Sequence, residues 1–240
     1  MGRIPEGVWS KCPECSELIF IKDLIRNLRV CPRCGFHFPM SAEERISLLL
    51  TKGSFRSLLD PRDGLMIGTG RMRGVELAVG AIDTEANRLE EGEVYESIAA
   101  LFNHAAQNRL PVILISPGGL FMEGERDERA LEGIAAMEKE LIKLGKAGLL
   151  YLSILTDPHP VYDFANYIPL GDIVLAEPRG RTNRPQRENP VEIYSRPSPD
   201  KLIDRIVERG ELKRTVWRII KWCTQGGKGH GREAEEAQNG

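Results

Sequence analysis

A chain of 240 residues, 41% hydrophobic and 28% charged, is long enough for one sizeable core and a small satellite unit. Its formal net charge of −2 argues against constitutive nucleic-acid binding. No apolar run approaches the roughly 20 residues of a membrane span, and Met1 to Trp9 offers no apolar segment of the kind that directs export.

The first feature along the chain is a pair of cysteine knuckles. Cys12-Pro13-Glu14-Cys15 and Cys31-Pro32-Arg33-Cys34 are separated by a fifteen-residue spacer. Two thiolates held two residues apart by a tight turn can bend over one ion. Two such turns supply four soft ligands in tetrahedral array, the geometry of a closed structural zinc site. Iron is the other metal that four thiolates suit. A disulfide or simple buried-cysteine reading fits the spacing poorly, and the absence of an export segment points to a reducing cytoplasm. The fifth cysteine, Cys223, stands far off beside Trp222 as an unpaired thiol. His37 follows the second knuckle and leaves a Cys/His site open, but four better-spaced thiolates favour a purely structural histidine. Lys11, Lys22, Arg26, Arg29 and Arg33 barely outnumber the nearby acids, so they read as a solvated face rather than a phosphate-binding patch.

Residues 1–40 are therefore expected to form a zinc ribbon, with Leu18 to Ile21 as a short strand. A unit this small leans on its metal for folding free energy. Ser41 and Glu44 form a capping-box pattern that opens a helix with Ile46, Leu49 and Leu50 on its apolar side. Leu58 to Gly74 is rich in glycine and Asp-Pro or Asp-Gly pairs and reads as turns, followed by a strand over Val75 to Ile82.

Glu93 to Asn108 has helical periodicity through Val94, Ile98, Leu101, Phe102 and Ala105. Val112 to Ile115 is a continuously apolar run of the type buried on both faces of a sheet. A helix is expected over Glu128 to Leu144, with Leu131, Ile134, Ala135, Leu141 and Ile142 together on one side. Leu149 to Leu155 and Ile173 to Ala176 are two more buried strands. Strand, helix, strand in this order predicts a parallel α/β layered core. Arg179 to Pro199 reads as a loop, and Ser198-Pro199 as the start of a helix carrying Leu202, Ile203, Ile206 and Val207 up to a break at Gly210. A basic amphipathic helix with Leu212, Val216, Trp217, Ile219 and Ile220 follows. The core is thus expected over 41–222, with 223–240 as a disordered tail.

Chemistry is best placed at Gly118-Gly119, where a buried strand ends. Two glycines there let backbone amides face a bound oxyanion without a side chain in the way. Asp157-Pro158-His159-Pro160 lies after another buried strand, and His104 on a helix surface or boundary; both read more readily as structural. No phosphate-binding loop or Ser/His/Asp set can be assembled.

Several stretches together resemble one family, the β subunit of the bacterial and plastid-type acetyl-CoA carboxylase carboxyltransferase. They are Trp9 to Cys15, Arg26 to Leu28, Val30 to Cys34, Arg45 to Leu50, Gly53-Ser54, Pro111 to Gly119, Ile154 to Pro158, and Gly171-Asp172 through Ala176-Glu177-Pro178. The resemblance implies a crotonase-like ββα core behind the ribbon, structural zinc, and a hetero-oligomer with an α subunit and a biotin carrier protein. It implies transfer of a carboxyl group from carboxybiotin to acetyl-CoA, giving malonyl-CoA, with Gly118 and Gly119 as the oxyanion turn. The chain departs from the family's glycine-rich loops at Glu85 to Gly92, Leu120 to Gly124, His159 to Asp163 and Arg179 to Arg187. Those departures support an alternative, a catalytically silent relative in which ribbon and core serve as a binding or regulatory module. Nucleic-acid binding through the ribbon explains only residues 1–40.

Overall fold

The computed structural model describes residues 8–83, 86, 89–117, 128–156, 171–178 and 203–226. Two short strands open the chain, β1 (Trp9–Lys11) and β2 (Leu18–Phe20), paired antiparallel with Ser10 opposite Ile19. The short helix α1 (Ile21–Arg26) follows directly. Cys12, Ile19, Leu24, Cys31 and Phe36 form a small core of their own, with Phe36 and Phe38 edge to face at 5.1 Å.

Helix α2 (Ala42–Leu49) begins where its capping box predicts. Ser41 Oγ accepts from the Glu44 amide at 3.2 Å, and the Glu44 carboxylate accepts from the Ser41 amide at 3.0 Å. A seven-stranded sheet then runs in chain order: β3 (Arg56–Ser57), β4 (Leu65–Met72), β5 (Val75–Ile82), β6 (Val112–Pro117), β7 (Tyr151–Thr156), β8 (Ile173–Ala176) and β9 (Arg205–Ile206). The first three pair antiparallel and everything from β5 onward is parallel. Helices α3 (Glu91–Asn108) and α4 (Glu128–Lys146) make the crossovers flanking β6 and cover one face. Helix α2 and the last helix, α5 (Arg209–Gly226), cover the other. Strands β6 and β7 are buried at every position, which is why they read as unbroken apolar runs.

Three expectations need correction. The stretch taken as turns up to Gly74 contains all of β4, which pairs with β5 over eight residues from Leu65–Ile82 to Met72–Val75. Its glycines mark close packing rather than turns. A Cβ on Gly68 would lie 2.2 Å from the Arg56 carbonyl oxygen, and one on Gly70 would lie 2.3 Å from Leu50 Cδ1. The two obstacles differ in kind, since backbone cannot yield and the tip of a leucine can. Gly68→Ala is therefore expected to cost about 1–3 kcal/mol, with Gly70→Ala milder. Thermal unfolding of the two variants checks that order.

The second correction concerns α4. Leu131 and Ile142 are more than half exposed and Ala135 is exposed, while Ala130, Gly133, Ile134, Met137 and Leu144 face inward. The cause is a close approach of two helices. A Cβ on Gly133 would lie 2.9 Å from the Gly92 carbonyl oxygen, so the glycine side of α4 is drawn against α3 and the periodic apolar set is turned partly outward.

Third, Arg205–Ile206 is strand rather than helix, and Gly210 lies inside α5. The sheet edge captures this segment. The Asp204 amide donates to the Val174 carbonyl at 2.9 Å, the Asp204 carboxylate accepts from the Val174 amide at 2.8 Å, and the Val207 amide donates to Ala176 at 2.8 Å. Helix α5 also continues through Cys223 to Gly226, so the expected tail boundary at 223 falls within its last turn. There the Thr224 hydroxyl donates to the Ile220 carbonyl. No helix among the described residues is long and apolar enough to cross a membrane.

Candidate metal centre and the carboxyl end of the sheet

The two knuckles share one backbone plan. The Cys12 amide donates to Glu17 and the Ser16 amide to Cys12; the Cys31 amide donates to Phe36 and the Gly35 amide to Cys31. Each turn closes on a left-handed residue, Ser16 at φ 59° and Gly35 at φ 75°. The second position suits glycine, as the sequence suggests, while the first strains a serine.

These turns bring all four sulfur atoms within 4.8 Å of one another. Cys12 Sγ lies 3.6 Å from Cys34 Sγ, and Cys15 Sγ lies 3.7 Å from Cys31 Sγ. Metal–sulfur bonds of about 2.3 Å set tetrahedral sulfurs roughly 3.8 Å apart, so the cluster has the dimensions of a closed four-thiolate zinc site. Burial pushes the Cys12 thiol up and Cys34 up to about 12. Burial acts the same way on Cys31, but the amides of Cys34 and Arg33 outweigh it and bring that thiol down to about 7. Four thiols this close cannot all ionise against one another; a divalent cation removes the conflict. No open coordination position remains for substrate, so the centre is structural. His37 is not among the clustered ligands.

His37 serves elsewhere. It is 2% exposed and approaches two carboxylates, Glu177 Oε2 at 3.7 Å from Nδ1 and Glu208 Oε2 at 3.6 Å from Nε2. Both separations are too long for hydrogen bonds. Glu177 directly follows β8 and is the centre of a buried ion cluster. Its Oε1 accepts from Arg45 Nη1 at 2.6 Å, and its Oε2 accepts from Arg209 Nη2 at 2.7 Å. Glu177, Arg45 and Arg209 are each no more than 3% exposed. Burial alone would raise the Glu177 carboxyl; His37, Arg45 and Arg209 together hold it well below the usual carboxylate range.

The parallel strands end on a row of buried polar residues: Asp83 after β5, Ser116 near the end of β6, Thr156 ending β7, and Glu177 after β8. In open α/β sheets this is the edge along which ligands bind. Asp83 accepts from the Ala42 amide of α2 at 2.7 Å. Ser116 Oγ is fully buried without a hydrogen-bond partner among the described residues. Gly118 and Gly119, the expected oxyanion turn, come just after β6 and lie outside the described residues, as do Leu120 to Gly124, His159 to Asp163 and Arg179 to Arg187. His104 is a half-buried helix residue whose carbonyl accepts from Asn108.

Residues 9–34 match the acetyl-CoA carboxylase zinc finger domain. The fold resembles transcarboxylase 12S with TM-score 0.57 at 15% identity, over 76% of this chain and 41% of that one. It resembles a Pseudomonas malonate decarboxylase hetero-dimer chain with TM-score 0.51 at 20% identity, over 83% and 93% of the two chains. The protein is a ribbon-bearing member of the crotonase-like carboxyltransferase fold class. The acetyl-CoA carboxylase carboxyltransferase β subunit of Desulforamulus reducens is 31% identical over 90% of this chain and 88% of its own. That of Desulforudis audaxviator is 32% identical over 91% and 92%. The chain belongs to the acetyl-CoA carboxylase carboxyltransferase β-subunit family.

Proposed function

We propose that this chain is the β subunit of an acetyl-CoA carboxylase carboxyltransferase. The observation that carries this reading is likeness over nearly the whole length of both chains to relatives of that name. In the reaction, the N–carboxyl bond of carboxybiotin breaks, the acetyl methyl group gives up a proton to the released biotin nitrogen, and the enolate carbon takes the carboxyl group. Malonyl-CoA and free biotin result. The chain's own contribution is to hold the thioester enolate through the backbone amides of Gly118 and Gly119, at the carboxyl end of the sheet. Cys12, Cys15, Cys31 and Cys34 hold zinc and keep the ribbon, residues 1–40, folded against the core.

The working enzyme is cytoplasmic and hetero-oligomeric, with an α subunit and a biotin carrier protein as partners. Calorimetric titration of acetyl-CoA and malonyl-CoA, alone and with a matching α subunit, tests the proposal. Saturable micromolar binding with biotin-dependent decarboxylation of malonyl-CoA is the expected result. Absence of binding in both settings would sink it and leave a silent module whose altered loops no longer admit the thioester.

A further inference from the structure

Arg209 is a buried side chain that reaches both units of the molecule through several bonds at once. It begins α5, and its guanidinium is 0% exposed. Nε and Nη2 donate to Glu177 of the core. Nη1 donates to the carbonyls of Leu28 and Phe38 in the ribbon, both at 3.0 Å, and reaches that of Arg29 at 3.5 Å. These acceptors flank the second knuckle, Leu28 and Arg29 on one side and Phe38 on the other.

The backbone presenting them is strained. Leu28 and Arg29 are consecutive non-glycine residues in the left-handed region, at φ 53° and 58°. Such conformations are costly and persist only where the surroundings fix them. Here the turn is held by its own backbone bonds, the Leu28 amide donating to Ile25 and the Arg29 amide to Leu24, and by the guanidinium of Arg209, and it runs directly into the knuckle at Cys31. A second link, Arg29 Nε to Glu44 at 2.7 Å, is about one-third exposed and much less able to act as a brace.

We propose that the ribbon is a metal-dependent clamp on the core. With the ion bound, the knuckle fixes the carbonyls that complete the hydrogen bonding of Arg209, and Arg209 with Arg45 neutralises Glu177. With the ion removed, those carbonyls disperse and Arg209 loses its ribbon partners. Arg209 Nη1 is then left without its carbonyl acceptors in a buried site, a costly arrangement. The first turn of α5 and the end of β8 open together, so that metal occupancy is felt at the carboxyl edge of the sheet. This inference concerns the chain's conformation and does not depend on its carrying out carboxyl transfer.

Hydrogen exchange of the full-length protein, zinc-loaded and then chelated, tests the clamp. Exchange is expected to rise at least tenfold in residues 8–40, and also in 173–178 and 207–213, while α3 stays protected. A rise confined to the ribbon would overturn the proposal. The triple variant Arg45→Met, Glu177→Leu, Arg209→Met replaces the ion cluster by apolar side chains of similar reach. Chelating it should open the ribbon and leave 173–178 unchanged; continued spread into the core would also overturn the idea. Should that variant fail to fold, coupling can be read in the opposite direction, because linkage is reciprocal. Arg209→Lys keeps the charge but loses the fork, and its zinc affinity, measured by equilibrium competition with a chromogenic chelator, should fall at least tenfold below that of the parent. An unchanged affinity would mean that ribbon and core act independently.

Discussion

Replacing Cys31 by serine is expected to strip the chain of its ion and unfold residues 9–34. Cys31 is the strongest choice because it is 2% exposed and backbone amides bring its thiol down to about 7. Serine offers a poor ligand at neutral pH, and a ribbon whose own core contains few residues has little else to hold it. Structural zinc in small domains contributes on the order of 10–16 kcal/mol of apparent binding free energy, which is also folding free energy. Metal analysis of the purified protein should fall from one ion per chain to about a tenth of that. Cobalt substitution should give the visible bands of a tetrahedral thiolate site in the parent only. Cys223→Ser is the control and should leave both readings unchanged, since Cys223 lies on α5, away from the cluster. Stoichiometric zinc in Cys31→Ser, with a parental unfolding profile, would show that the knuckles are not the metal site.

That centre is legible in the sequence because its information is local. Two ligands, a turn-forming proline and a permissive residue all lie within five positions of each other. Buried strands such as Ile173–Ala176 are equally legible, because a strand covered on both faces leaves an unbroken apolar run. Strand β4 is hidden for the opposite reason. Gly68 and Gly70 carry the ordinary signature of a turn, yet each fills a place where the neighbouring backbone or Leu50 leaves no room for a Cβ. Strand β9 is hidden because its pairing with β8 depends on partners about thirty residues earlier, while its own residues suit a helix equally well.

The Glu177 cluster is the largest omission. Arg45 lies 132 residues from Glu177 and Arg209 lies 32 residues beyond it. A signal does exist: Arg45 shares a helical face with Ala42, Ile46 and Leu49, all buried, and an arginine on such a stripe requires a buried anion. Glu177, directly after a buried strand in the run Ala176-Glu177-Pro178, is the matching oddity. Each reads as unremarkable alone, and only the fold makes them one site. At Gly118-Gly119 the strand leading in is clear in the sequence, while the two glycines themselves lie outside the described residues.

Glu177→Gln carries the second large expected effect. Removing the carboxylate takes from buried Arg45 and Arg209 the anion they share, and breaking a buried pair in this way costs about 3–5 kcal/mol. Denaturant unfolding at neutral pH with zinc in excess should show a loss of that size. Its pH dependence identifies the cause. The folded protein holds the Glu177 carboxyl below its ordinary range, whereas the unfolded chain titrates near the usual value of about 4.3. The folded state therefore favours the ionised form, and the stabilisation is complete above the unfolded value. It is lost progressively as pH falls from there toward the depressed folded value. The gap between parent and Glu177→Gln should be constant from neutrality down to about pH 5 and narrow steadily below it. A gap that persists unchanged through pH 3 would assign the loss to altered packing instead of charge. Converting all three members to apolar residues should recover most of the stability, because the desolvation cost of the ions disappears along with their attraction. What the ions add beyond that is registry: a guanidinium fork fits the paired carboxylate oxygens and the ribbon carbonyls in a single orientation, which a methionine cannot enforce.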